Sequence, residues 1–181
     1  VGGLSIEDTE LPRPYGPSGK ATLLSIDEGV GKMKGALAGR QDRSLVIAGR
    51  SSAISITGLD DTIARAVAYQ EAGVDAIFLV GVKTRAELEP ISQAVKVPMI
   101  LGGVGPELAD LDYLSAKGVR ICLQSHQPFM AAVQATYATL KALRDGVPTS
   151  DIEGVAPADL MQRVTRAEDY DRWTKDFLGG A

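Results

Sequence analysis

The chain has a single cysteine, Cys122, so it can form neither an internal disulfide nor a multi-cysteine metal site. It has a single histidine, His126. Basic residues are not in surplus: 19 Lys and Arg stand against 23 Asp and Glu, a net charge of -4. The positive field that nucleic acid or an anionic membrane would require is therefore missing. The longest apolar runs fall far short of a membrane span. The opening Val1-Gly2-Gly3 has no charged n-region and no cleavage pattern, so no signal peptide is expected. These absences predict a cytoplasmic protein with no nucleic-acid or membrane partner.

What is present is the make-up of an ordinary globular protein, 45% hydrophobic and 23% charged, and 181 residues suffice for one sizeable core. Short β-rich runs lie at residues 4–6, 44–48, 76–80, 98–101 and 119–123. They are continuous rather than alternating, as in parallel strands covered on both faces. Between them lie helices with readable starts. Ser25-Ile26-Asp27-Glu28 and Thr84-Arg85-Ala86-Glu87 are capping boxes. Asp60 or Asp61 is expected to cap the helix between them, and Pro106 to open one bearing Leu108, Leu111 and Leu114. A long helix is predicted over 128–144, with Phe129, Val133, Tyr137 and Leu140 in a stripe. After Gly146-Val147-Pro148 a single polar helix is predicted over 158–177. The succession βαβαβαβαβα, with later repeats 20 to 30 residues apart, suits a (β/α) barrel.

In such barrels catalytic groups stand at the C-terminal ends of strands. By that rule the first strand delivers Glu7 and Asp8, the second Arg50, Ser51 and Ser52, the third Gly81, the fourth Gly102-Gly103, and the fifth Ser125-His126. Glu7 and Asp8 alternate across the strand, so only one can face the interior. A carboxylate there serves either as an oxygen ligand for Mg²⁺, direct or through water, or as the partner of a lysine, amide or helix N-terminus. Arg50 can grip a carboxylate through two parallel hydrogen bonds, or form a salt bridge to a neighbouring strand end such as Glu7. His126 can donate to a substrate oxygen or act as acid or base, or else serve as a structural histidine. Gly102-Gly103-Val104-Gly105-Pro106 reads as a weak phosphate cradle or, more commonly, a tight turn. The Pro- and Gly-rich stretch from Glu10 to Lys20 reads as a gating lid or an ordinary connection, with Tyr15 available for helix packing. Cys122 reads as a small core residue.

Three motifs carry a resemblance. Ser5-Ile6-Glu7-Asp8-Thr9-Glu10-Leu11-Pro12, Glu28-Gly29-Val30-Gly31-Lys32 and Tyr69-Gln70-Glu71-Ala72-Gly73-Val74-Asp75 resemble the isocitrate lyase/phosphoenolpyruvate mutase superfamily, nearest its oxaloacetate decarboxylase branch. The resemblance implies a (β/α)8 TIM-type barrel. This chain would supply strands four to eight over residues 1–145, followed by a linker and helical arm over 146–181. The Mg²⁺-binding Asp-x-Asp segment and a substrate-binding serine loop would lie on upstream strands, so the chain alone is expected to be inactive. Upstream residues or another subunit would complete the barrel.

By position, the resemblance assigns Arg50 and His126 to substrate contact and catalysis, and Glu7 to the water shell of Mg²⁺ (or Mn²⁺). Gly49-Arg50-Ser51-Ser52 departs from the usual Ala-Arg-Thr-Asn/Asp. The loop Arg13-Pro14-Tyr15-Gly16-Pro17-Ser18-Gly19 lacks the Lys-Lys/Arg-Cys-Gly-His of lyases and mutases, which argues against isocitrate-type cleavage. The implied reaction is decarboxylation of oxaloacetate, or a close β-keto acid, to pyruvate and CO2. The alternatives are another C–C or C–P lyase acting on a methylmalate- or phosphonate-type substrate, and an inactive partial barrel serving binding or assembly. A homo-oligomer, dimer or tetramer, is also implied.

Overall fold

A computed structural model describes residues 1–12 and 21–179. Five strands form one wholly parallel sheet in chain order: β1 (Gly3–Glu7), β2 (Val46–Ser51), β3 (Ala76–Leu79), β4 (Met99–Leu101) and β5 (Val119–Cys122). Helices α1 (Ile26–Gly39), α2 (Leu59–Ala72), α3 (Arg85–Ala94) and α4 (Leu111–Ala116) lie between successive strands. The strand order never reverses, as it would at the switch point of a doubly wound sheet. This is the βα succession of the (β/α)8 class, as the sequence predicts.

Residues in register share a face of a parallel sheet, and the two faces here differ in chemistry. Ile77, Leu79, Met99 and Leu101 are buried among Met33, Tyr69, Leu88 and Ile91, the apolar faces of α1, α2 and α3. The other face carries the row Glu7–Arg50–Phe78–Ile100–Ile121, joined pair by pair across the ladder. One face is thus a dry core; the other holds a carboxylate and a guanidinium side by side.

Both capping boxes form, Ser25 with Glu28 and Thr84 with Glu87. Elsewhere the helix starts differ from expectation. The N-cap of α2 is Gly58, and Asp60 and Asp61 sit in the first turn, where they meet the positive end of the helix dipole. Pro106 opens a 3-10 turn (Pro106–Leu108) only; α4 begins afresh with Asp110 accepting from the Tyr113 amide. A proline N1 and an aspartate N-cap four residues apart make two starts, and the chain uses both. Strand β2 runs three residues beyond its predicted end, so Arg50 and Ser51 belong to the strand itself.

The chain divides into two compact units, Val1–Ser125 and His126–Ala181. The second contains α5 (Gln127–Arg144), a 3-10 turn, α6 (Ala158–Val164) and α7 (Ala167–Leu178). The predicted single tail helix is two, because Arg166 takes a left-handed conformation (φ 58°) that breaks the hydrogen-bond ladder. In this unit the α5 stripe of Phe129, Val133, Tyr137 and Leu140 is exposed. Arg166 and Arg172 both pair with Asp169 and flank the ring of Trp173. Among the described residues no helix is long and apolar enough to cross a membrane.

Candidate active site

The site grows from the C-terminal ends of β1 and β2. Their register sets Glu7 directly beside Arg50, with Oε2 of the carboxylate 3.7 Å from Nε of the guanidinium. That is an ion pair longer than a hydrogen bond, and Arg50 Nε, though buried, has no hydrogen-bond partner. Both side chains remain about one-third exposed, so water screens their attraction. The guanidinium lies over Phe78, its next neighbour in the row, 5.0 Å from the ring centroid. The aromatic platform and the carboxylate together fix its plane. Glu7 is held in turn: Thr9 Oγ1 donates to its Oε1 at 2.7 Å, and Lys32 of α1 donates to its backbone carbonyl at 2.6 Å.

Asp8 takes the opposite direction, as strand alternation requires. It is fully buried. Its Oδ2 accepts from the Tyr69 hydroxyl at 2.7 Å and from Arg65 at 3.2 Å, while Oδ1 has no partner. Arg65 continues the network to Asp61, 2.8 Å from Nε, and to the carbonyl of Leu24 at 2.8 Å. Burial alone would lower the affinity of Arg65 for its proton, but the bonds to Asp61 and Tyr69 outweigh it and raise the pKa. Burial, reinforced by the bond to Asp8, pushes the Tyr69 hydroxyl well above the ordinary tyrosine value. Tyr69 is therefore a fixed donor. Of the two carboxylates closing β1, one is internal bracing and the other faces the open side of the sheet.

The remaining predicted rim residues divide. Ser51 is buried and its hydroxyl accepts from the Ala53 amide, which starts a 3-10 turn (Ala53–Ser55). Gly81 has φ 101°, and a Cβ there would stand 2.2 Å from Ser55 Oγ, so the turn after β3 packs closely on that element. Gly102-Gly103 leads into the 3-10 turn at Pro106, too short a helix to provide a phosphate cradle. Cys122 is half-buried, and burial raises its thiol pKa, as suits a packing residue. His126 is the exposed N-cap residue of α5 and the first residue of the second unit. Of the three residues predicted to carry chemistry, Glu7 and Arg50 are thus brought together within the first unit.

Sequence reasoning missed Arg65, Tyr69, Thr9, Lys32 and Phe78. A signal existed for the first two, since Asp61, Arg65 and Tyr69 recur at intervals of four on α2 and so share one face. The Glu28-Gly29-Val30-Gly31-Lys32 motif also acquires physical sense. Glu28 closes the capping box, Gly29 leaves room for the Tyr69 ring, and Lys32 reaches the Glu7 carbonyl. Residues 13–20, which include Tyr15 and most of the predicted lid, lie outside the described residues.

Glu7 has one oxygen on Thr9 and the other beside Arg50, so it suits a contact with a hydrated divalent cation better than direct ligation. Among the described residues no group of three or more His, Cys, Asp or Glu side chains is disposed to hold a metal. A concavity of about 450 Å³ lined by Lys96, Lys117 and Arg120 lies at the opposite ends of the strands. Its cations are already engaged, Lys117 by Glu89, and Lys96 and Arg120 by the carbonyls of Gln93 and Ser115. The Glu7–Arg50 rim is the candidate site, since Arg50 Nε there is a buried cationic donor with no hydrogen-bond partner.

The family model of phosphoenolpyruvate phosphomutase matches residues 1–144. The chain belongs to this family. It is 53% identical over 177 residues to an oxaloacetate decarboxylase of Bradyrhizobium sp. (strain ORS 278), and 51% identical to that of Rhodopseudomonas palustris (strain ATCC BAA-98 / CGA009). Each match takes in 98% of this chain and 61% of the relative, so the chain spans about three-fifths of the length of these curated relatives. Among solved structures it is similar to oxaloacetate acetylhydrolase in complex with the inhibitor 3,3-difluorooxalacetate. The TM-score is 0.75 at 25% identity, covering 100% of this chain and 62% of the other. It is also similar to phosphonopyruvate hydrolase in complex with oxalate and Mg²⁺, with a TM-score of 0.72 at 25% identity, covering 98% and 63%. The residues of the network and of the ion pair all fall inside the region that the family model matches.

Proposed function

We propose that the protein carrying this chain decarboxylates oxaloacetate, or a close β-keto acid, to pyruvate and CO2. The observation that carries the reading is the Glu7–Arg50–Phe78 row, which holds a guanidinium, its Nε turned to Glu7 and its side chain about one-third exposed, at the C-terminal rim of a parallel sheet. Similarity to oxaloacetate decarboxylases at about half identity supports oxaloacetate among the keto acids that such a guanidinium fits.

Loss of CO2 from oxaloacetate leaves its electron pair on the pyruvate enolate, and a catalyst must stabilise that charge as it develops. Arg50 offers a planar fork to the substrate carboxylate, and its place over Phe78 keeps the fork from turning away. Its positive charge would stabilise enolate charge on a substrate held by that fork. His126 follows β5 by four residues and, as the resemblance implies, donates a hydrogen bond to a substrate oxygen. Glu7 stands beside Arg50 and would meet a bound divalent cation through its water shell. Bound Mg²⁺ would supply electron withdrawal at the keto oxygen. Decarboxylation needs no protein nucleophile, which agrees with the half-buried packing role of Cys122.

The full-length protein is tested with Mg²⁺ on oxaloacetate, 2,3-dimethylmalate and phosphonopyruvate, with pyruvate, CO2 and phosphate as readouts. Pyruvate and CO2 from oxaloacetate at a rate well above the other two is the expected result. Preferential cleavage of either other substrate would reassign the reaction within the family, and no turnover of any would favour a binding or assembly role. The same reading makes the protein a cytoplasmic homo-oligomer, dimer or tetramer. The exposed apolar stripe on α5 supports assembly, and sedimentation velocity tests it.

A further inference from the structure

Tyr69 touches the neighbours of both members of the ion pair. Its hydroxyl donates to Asp8, the residue after Glu7, at 2.7 Å. Its ring packs on Gly49, the residue before Arg50, so closely that a Cβ on Gly49 would lie 3.1 Å from Tyr69 Cβ. The far end of the ring fills the space over Gly29 of α1, where a Cβ would stand 2.3 Å from the hydroxyl oxygen. The side chain is wholly buried and cannot take up slack.

Arg65, one helical turn earlier, ties Asp8 to the Leu24 carbonyl, and so joins the exit of β1 to the entry of α1. Lys32 of the same helix then donates to the Glu7 carbonyl. The struts end on the Asp8 carboxylate next to Glu7, on Gly49 next to Arg50, on the Leu24 carbonyl just ahead of α1, and on the Glu7 carbonyl itself. None of its side chains reaches the open face of the sheet, because Asp8 points the other way.

From this geometry we infer that Tyr69, with Asp8 and Arg65, is a positioning residue that sets the spacing of Glu7 from Arg50. The two side chains sit 3.7 Å apart, partly solvated and without a direct hydrogen bond. Their own attraction does not fix that separation; the backbone beneath them does. The inference rests on the reading that Glu7 and Arg50 face the substrate.

Tyr69→Phe removes the strut to Asp8 and keeps the ring. A misplacement of the order of an ångström in a catalytic wall costs up to about 100-fold, so removal of one strut of several is expected to lower kcat roughly 10-fold, with KM for oxaloacetate changed less. A role that is only structural would multiply with any other defect. A role exercised through Glu7 would not, so the decisive measurement is a double-mutant cycle in the full-length protein. In the Glu7→Gln background, Tyr69→Phe should change kcat less than twofold.

Equal fold-losses in both backgrounds, tracking a fall in melting temperature, would overturn the inference. Crystal structures of the wild type and Tyr69→Phe read the brace without turnover. A Glu7–Arg50 separation that changes with the hydroxyl's removal supports it; an unchanged one refutes it even if oxaloacetate proves to be the wrong substrate. Absence of wild-type decarboxylation, by contrast, strikes the functional reading alone.

Discussion

Helix α1 contains an internal control for the packing that underlies the site. Gly29, Gly31 and Gly35 lie in the same helix and have the same intrinsic cost, so each replacement by alanine should gain about 1 kcal/mol of helix propensity. Gly31 and Gly35 have nothing within 4 Å of an added Cβ, and there the gain should be realised. At Gly29 the methyl would stand 2.3 Å from the Tyr69 oxygen and 2.9 Å from two ring carbons. The ring is buried on all sides and must shift, at an overpacking cost of about 1–3 kcal/mol. The shift also strains the hydroxyl's bond to a buried carboxylate, worth about 1.5–3 kcal/mol. Set against the propensity gain, Gly29→Ala should destabilise by about 1.5–5 kcal/mol. Urea denaturation of the three variants of the full-length protein, followed by circular dichroism, reads the difference directly. A Gly29→Ala variant as stable as Gly31→Ala would show that Tyr69 is not seated as described, and the brace would fall with it.

The remaining predictions concern the same network and its borders. Arg65→Met leaves Asp8 as a buried charge with Tyr69 alone and should cost about 3–5 kcal/mol by urea denaturation, whereas Arg85→Met, whose pair with Asp110 is half exposed, should cost less than about 1 kcal/mol. Burial works to raise the Asp61 pKa, but the bonds from Arg65 and Thr57 outweigh it and hold it below the ordinary value of 3.8. A depressed folded-state pKa gives stability that is present above the unfolded value and is lost as pH falls through the folded one. Asp61→Asn should therefore flatten the loss of stability that the wild type shows below about pH 4 in acid titration. Phe78→Ala removes the platform under Arg50, and should raise KM for the keto acid about 5- to 30-fold if stacking on that ring contributes about 1–2 kcal/mol to the guanidinium's orientation.

How far the sequence revealed this fold depended on where its signals were local. Continuous apolar runs marked all five strands, because a strand covered by helices has no polar alternation to confuse it. Ser25 and Thr84 announced their helices through capping boxes, a contact confined to four residues. Asp61 was misread as a cap because an acidic first turn and an aspartate N-cap look alike in one dimension, and only the backbone of Gly58 distinguishes them. The tail break at Arg166 was invisible, since a left-handed arginine has no composition signature.

At the site, strand alternation foretold that Glu7 and Asp8 would part, but could not say which turned inward. That depends on Arg65 and Tyr69, more than fifty residues later in the chain. The salt-bridge reading of Arg50 is realised, and the substrate reading stays a proposal. The guanidinium stands beside Glu7 at 3.7 Å and still carries a buried donor without a partner.

The most direct test of the account is pyruvate release from oxaloacetate by the full-length protein, wild type against Arg50→Ala, at saturating Mg²⁺. Removing a preorganised charged donor from a developing oxyanion typically costs about 10²–10³ in kcat, and a loss of that size with an unchanged melting temperature is the predicted result. Equal rates in the two proteins would contradict the central claim that the Arg50 guanidinium carries the reaction.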